Sequence, residues 1–216
     1  MARTGNAKAL ATVLGAAAVL AVALTALLAV QPADAAGRFK VVTKTFSSAQ
    51  QITIPEFGAA APYPSERNAA GFERGKILDA NLTLKNFSHT VPADVDVMLS
   101  HKGVNRTVMS DAGAGFPVGN VTLKLDDEAP SPLPSGAPLA GGSFRPANYD
   151  NRVFDPGPFD GFEAPAPAQS GLSALSGFDG GDPNGPWRLW VTDDSSFDGG
   201  QFAGGWSVTI KARVLR

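Results

Sequence analysis

Beyond residue 36 the apolar residues of this chain recur with a period of two, and no segment repeats with the 3.6-residue period of an amphipathic helix. Alternation sends successive side chains to opposite faces, the geometry of a pleated strand half-buried on a core. The runs are Phe39, Val41, Thr43 and Thr45; Ile52 and Ile54; Ile77, then Leu78, Ala80, Leu82 and Leu84; and Val95, Val97 and Leu99 against Asp94, Asp96 and Met98. Thr107–Met109 and Val121–Leu125 add two short strands. Trp187, Leu189 and Val191 then alternate against Arg188, Trp190 and Thr192, and Trp206, Val208 and Ile210 against Ser207, Thr209 and Lys211. Between the runs stand most of the 24 glycines and 17 prolines, residues that end helices and suit turns. About eight short strands separated by Gly, Pro and Asp predict an all-β chain, a β-sandwich or jelly roll. Trp187 and Trp206 read as core anchors between two sheets. Trp190, of opposite parity, is placed at a flank, or exposed as a stacking surface for sugar.

The exception to this pattern comes first in the chain. Arg3 and Lys8 precede a 22-residue apolar run from Ala9 to Val30, and Ala33-Asp34-Ala35 supplies a small-x-small cleavage site before Ala36. Residues 1–35 therefore read as a secretory signal helix; uncleaved, residues 9–30 would serve as a membrane anchor. Either way the remainder is expected outside the cytoplasm, secreted or at the cell surface. Residues 36–49 form a lead-in strand, and 50–213 one domain.

Composition removes several function classes. A net charge of −2 gives no basic footprint for nucleic acid. With no cysteine, disulfides and thiolate metal sites are impossible, so the domain is held by its core, by bound metal, or by both. A serine hydrolase needs Ser, His and an acid within hydrogen-bond reach. Only His89 and His101 are available, and Gly171-Leu172-Ser173-Ala174-Leu175 lacks the second glycine of a nucleophile elbow. His89 reads as a structural histidine at a strand end and His101 as a solvated residue near a turn. Two distant histidines make no zinc site. The chain is thus expected to be non-catalytic.

Calcium suits the acidic residues better. Of the 20 acidic residues 15 are Asp, a turn former and a hard oxygen ligand. Three turns are candidate ligand clusters: Asp94 with Asp96, Asp126 with Asp127, and Asp193 with Asp194 and Asp198. Loops at one end of a jelly roll would let them converge; otherwise these aspartates cap turns. Asp179–Gly185 lacks the spacing and the closing Glu of an EF-hand loop. Sequons at Asn81, Asn86, Asn105 and Asn120 matter only if the source glycosylates its exports. Residues 128–171 hold nine prolines, with Phe144, Tyr149, Phe154, Phe159 and Phe162 among them, and are expected to form an ordered coat over one sheet.

The most specific stretch is Asn184-Gly185-Pro186-Trp187-Arg188-Leu189-Trp190-Val191-Thr192-Asp193-Asp194, then Asp198-Gly199-Gly200, then Gly204-Gly205-Trp206-Ser207-Val208-Thr209-Ile210. It resembles the closing hairpin of the P domain (P/Homo B domain) that follows the subtilisin-like catalytic domain in proprotein convertases. Ile54-Pro55, His89-Thr90 with Asp94-Val95, Met98-Leu99 with Lys102-Gly103, Leu125-Asp126-Asp127-Glu128-Ala129 and Gly142-Ser143-Phe144-Arg145-Pro146 resemble further elements of that family, in order, from about residue 50 to 212. His101 stands where the family usually has proline. The resemblance implies a β-sandwich jelly roll, frequent calcium binding, and no proteolysis, since the catalytic triad belongs to the neighbouring domain. It implies a stand-alone binding or stabilising module whose partner is a protein or surface polymer. The alternatives are an accessory domain working with a subtilisin-like serine endopeptidase, or a carbohydrate-binding sandwich. The last requires Trp190 or Tyr149 to face solvent.

Overall fold

The structure is a computed structural model and describes residues 38–149 and 161–216; the signal and cleavage site of residues 1–35 lie outside the described residues, as do Phe154 and Phe159. Among the described residues regular structure is all β, apart from 3₁₀ turns such as Pro92–Asp94 and Leu175–Phe178.

Two sheets face each other. In the first, β1 (Phe39–Ser48) pairs with β13 (Trp206–Leu215), β13 with β5 (Lys76–His89), and β5 with β8 (Val118–Leu125). β12 (Gly200–Phe202) continues the line of β13 along β5, and β2 (Ile52–Ile54) continues the line of β1 along β12. A short β9 (Gly142–Phe144) runs parallel to β8. The second sheet is ordered β10 (Ala147–Asn148), β7 (Val104–Ser110), β6 (Val95–His101), β11 (Gly185–Asp193). β3 (Gly58–Ala59) and β4 (Ser65–Ala69) both pair with the far side of β11.

The period-two pattern is what fills the space between the sheets. Leu82, Leu84, Phe87, Val208 and Ile210 from the first meet Val95, Val97, Leu99, Leu189 and Val191 from the second, all buried in one cluster. Each such side chain contributes about 1.5–3 kcal/mol by leaving water. Trp206 stands in the first sheet and its indole N–H donates to Ser65 Oγ of the second at 2.8 Å, tying the layers together. Trp187 is equally buried, against Phe178 and the ring of His101.

Two local readings change. On β1 the packed residues are Val42 and Phe46, whereas Val41, Thr43 and Thr45 point outward; the register Phe46↔Val208 and Val42↔Ala212 sets this parity. On β5 both Ile77 and Ala80 are buried and Leu78 is exposed. A bulge between Lys211 and Ala212 of β13 passes over Leu78, so the strand switches faces there.

The second sheet is also covered on its outer side, where Met98 and Trp190 are buried. The cover is the described part of the proline-rich stretch. Asn105 Nδ2 donates to Ala168 O at 3.0 Å, Thr107 N to Leu172 O at 3.1 Å, and Thr107 Oγ1 to Gln169 Oε1 at 3.1 Å.

Candidate functional site

Strand register decides which aspartates meet. β6 and β11 are antiparallel with Asp96 opposite Thr192 and Val95 opposite Asp193, and beyond the ladder Asp194 N donates to Asp94 O at 3.0 Å. β12 brings Gly200 opposite His89, so the 194–199 loop joins the same end. Asp94, Asp96, Asp193, Asp194 and Asp198 therefore share the His89 end of the sandwich. Asp126 and Asp127 do not. They follow Leu125, which pairs with Leu82, seven residues back along β5 from His89. At about 3.4 Å per residue the two groups are roughly 24 Å apart.

At the His89 end the side chains are held by one another and by backbone. Alternation turns Asp193 toward the core, where it receives a hydrogen bond at 2.9 Å from His89 Nε2, both side chains being fully buried. His89 Nδ1 lies 2.9 Å from Val91 O and 3.2 Å from Val91 N. Asp193 Oδ1 also accepts from Ser195 N at 3.1 Å, fixing the turn. Thr90 Oγ1 donates to Asp198. The His-Thr pair at the end of one sheet is thereby clamped to the loop leaving the other. His89 and Asp193 have the form of a base with its orienting acid, but the remaining ring nitrogen faces Val91, not a hydroxyl nucleophile.

On the outer face Thr192 Oγ1 lies 3.0 Å from both carboxylate oxygens of Glu163. Glu163 O accepts from the Tyr63 hydroxyl at 2.9 Å, and Tyr63 meets Trp190 edge-on at 5.1 Å. Burial, then the Glu163 carboxylate, pushes the Tyr63 phenol far above its usual range. Glu163 is a member of this end that no sequence signal marks, because it arrives from the proline-rich stretch, distant in sequence from every strand it touches.

At the opposite end Asp127 accepts from Leu175 N at 3.0 Å and Ser176 N at 2.7 Å, capping a 3₁₀ turn. Asp126 accepts from Glu128 N at 3.0 Å and from Lys124 at 2.5 Å. Burial, then the nearby Asp126 carboxylate, raises the pKa of Asp79. Burial, then Asp79 and Asp127, raises that of Asp179. Among the described residues no group of three or more His, Asp or Glu side chains is gathered so as to hold a metal ion.

His101 differs from its expected solvated state. It is buried, stacked on Trp187 with ring centroids 4.2 Å apart, and its nitrogens lie 2.9 Å from Pro186 O and 2.8 Å from Asp182 O. The hairpin turn after it carries Lys102, paired with Asp182, whose carboxyl that contact draws down to about 2 despite partial burial. An open depression of about 450 Å³ lies beside this turn, lined in part by Pro64, Pro165, Pro167, Arg188 and Trp190. Trp190 is only 5% exposed and donates its N–H to Ser100 Oγ at 2.8 Å. Tyr149 is half-buried with its hydroxyl on Leu133 O at 2.7 Å. Neither offers the solvent-facing aromatic platform a carbohydrate site requires.

No family model matches the chain, and no curated protein matches it. Among solved structures it is similar to a complex of an Aeromonas sobria serine protease with a chaperone, at 12% identity and a TM-score of 0.32. The similarity covers 82% of this chain and 27% of that one, so this chain corresponds to about a quarter of the other's length. A likeness this loose carries no argument about fold or function.

Proposed function

We propose that this chain is a non-catalytic, exported jelly-roll module of the P/Homo B type that binds or stabilises another protein. The observation that carries the reading is the commitment of both histidines to the fold: His89 to Val91 and Asp193, His101 to two backbone carbonyls and the face of Trp187. The hydrogen-bond partners of these ring nitrogens are Val91, Asp193, Pro186 and Asp182, with no serine hydroxyl among them for a general base to activate. The strand order supports the fold assignment. With β1/β2, β3/β4 and β12/β13 taken as interrupted strands, the sheets run β1/β2–β12/β13–β5–β8 and β3/β4–β11–β6–β7, the arrangement of a jelly roll. The motifs resembling a P domain lie on these strands and on the turns between them.

The test is hydrolysis. The purified chain, incubated with casein and with fluorogenic peptides, is expected to show no turnover. Hydrolysis abolished by His89→Ala would overturn the reading.

The same resemblance supports a more specific role, an accessory to a subtilisin-like serine endopeptidase. In that case adding the chain should lengthen the half-life or shift the activity of such an enzyme, and an unchanged enzyme would dismiss it. Calcium belongs to the proposal through the aspartate-rich turns alone, since the described carboxylates gather no metal group of their own. Thermal melting with the cation and with a chelator tests it.

A further inference from the structure

Two of the most exposed large apolar side chains among the described residues are Phe197, 91% exposed, and Phe57, 66% exposed. The fold brings the two loops that carry them side by side. Phe57 lies between Ile54, which pairs with Gly200, and Gly58, which pairs with Asp193; Phe197 lies between the same two partners, Asp193 and Gly200. Both segments therefore cross between the sheets over the same gap. They touch, for a Cβ placed on Gly199 would lie 3.4 Å from Ile54 O and 3.7 Å from Glu56 N. Phe197 is held at φ +87°, a conformation that L-residues with bulky side chains rarely adopt. The loop thus keeps its backbone in an unfavourable conformation while its aromatic ring faces water, and such strain clusters at sites that bind.

The surrounding charge selects the occupant. Residues 55–58 and 195–199 carry the exposed Glu56 and the half-buried Asp198 and no Lys or Arg. Acids of one sign would repel a second copy of this end in a two-fold contact, and would repel an anionic membrane. A segment carrying Lys and Arg beside large apolar side chains would pack on the rings and complement the acids.

We propose that Phe57 and Phe197 are the paired anchors of a docking surface for a basic protein segment with apolar residues. This rests on the reading of the chain as a binding module and names the surface that does the binding. The probe is a random linear-peptide library, selected on the full chain and counter-selected on the Phe57→Ser/Phe197→Ser double variant. The expected peptides are rich in Lys, Arg and large apolar residues. They should bind the double variant about tenfold more weakly or worse, the cost of losing aromatic anchors, and bind more weakly in high salt. Val41→Ser, which removes an apolar side chain 55% exposed on the outer edge strand, should leave binding unchanged. Glu56→Lys, an exposed charge reversal that leaves both rings in place, should also weaken it. The proposal is overturned if the selection yields no peptide that depends on the two rings, or if the recovered peptides are acidic. It is equally overturned if the rings instead drive dimer formation in sedimentation or binding to phosphatidylcholine/phosphatidylglycerol vesicles. None of these failures would touch the non-catalytic reading, which the hydrolysis assay decides separately.

Discussion

His89 and Asp193 show how a residue pair decides stability here. Their buried contact sits where water cannot compensate a lost partner. Asp193→Ala leaves a polar ring and a turn N–H unmatched in the interior, and is expected to lower unfolding free energy by about 3–5 kcal/mol in urea titration. Asp79 should behave in the opposite way. Its pKa is raised in the folded chain by burial and by the Asp126 carboxylate, so the native state holds the proton more tightly than the unfolded chain does. For such a group stability falls as pH climbs through the raised value. Asp79→Asn removes the penalty and can keep an oxygen for Asn81 Nδ2, which lies 3.0 Å from Asp79 Oδ2. At pH 7 the variant should therefore match or exceed the parent by up to about 1 kcal/mol, the repulsion being partly screened at a half-exposed site. The gain should vanish by about pH 3, where the parent carboxyl is protonated. Urea midpoints at the two pH values read both statements.

At the scale of elements, the turn from β12 to β13 is a tight crossing against a neighbouring segment. Gly205 there has φ +64°, and a Cβ would sit 2.2 Å from Ser48 O and 2.7 Å from Gln50 O, where the chain passes from β1 to β2. Gly205→Ala thus combines an unfavourable backbone with a clash against backbone that cannot rotate away. It is expected to cost about 2 kcal/mol or more, in contrast to Gly103→Ala in the β6–β7 turn. Gly103 has φ +82° but open space around it, so its substitution should cost about 1 kcal/mol. Chemical denaturation of the two variants separates steric from conformational cost. The elements also show where sequence reading reached its limit. Alternation located β6, β11 and β13 with the correct inward faces. It missed the inward face of β1 because Phe39, Val41 and Thr43 alternate as well as Val42, Lys44 and Phe46 do, and only pairing with β13 chooses between them.

For the molecule as a whole, the calcium proposal makes a prediction that no single side chain can test. A cation present at 100 times its dissociation constant adds about 2.7 kcal/mol, which is several degrees of melting temperature for a domain of this size. A rise with Ca²⁺ that EGTA reverses is the expected result; coincident melting curves would leave the aspartates as caps and turn formers. The three tryptophans provide the signal, since Trp187 and Trp206 are fully buried and Trp190 nearly so.

The sequence by itself determined the class of structure, because a period of two admits only strands and because Gly, Pro and Asp end them where they stand. It also fixed the two anchoring tryptophans and the lack of a disulfide. The tertiary structure decided what each polar residue does. Asp126 and Asp193 look alike in sequence, each beside a second aspartate, yet one closes a half-buried turn and the other is fully buried against a histidine from the opposite sheet. His101 was unreadable for the same reason: its partners, Trp187, Pro186 and Asp182, are more than eighty residues away along the chain. Burial and hydrogen-bond partners of polar groups are set by contacts between distant segments, and no local pattern of apolar residues encodes them.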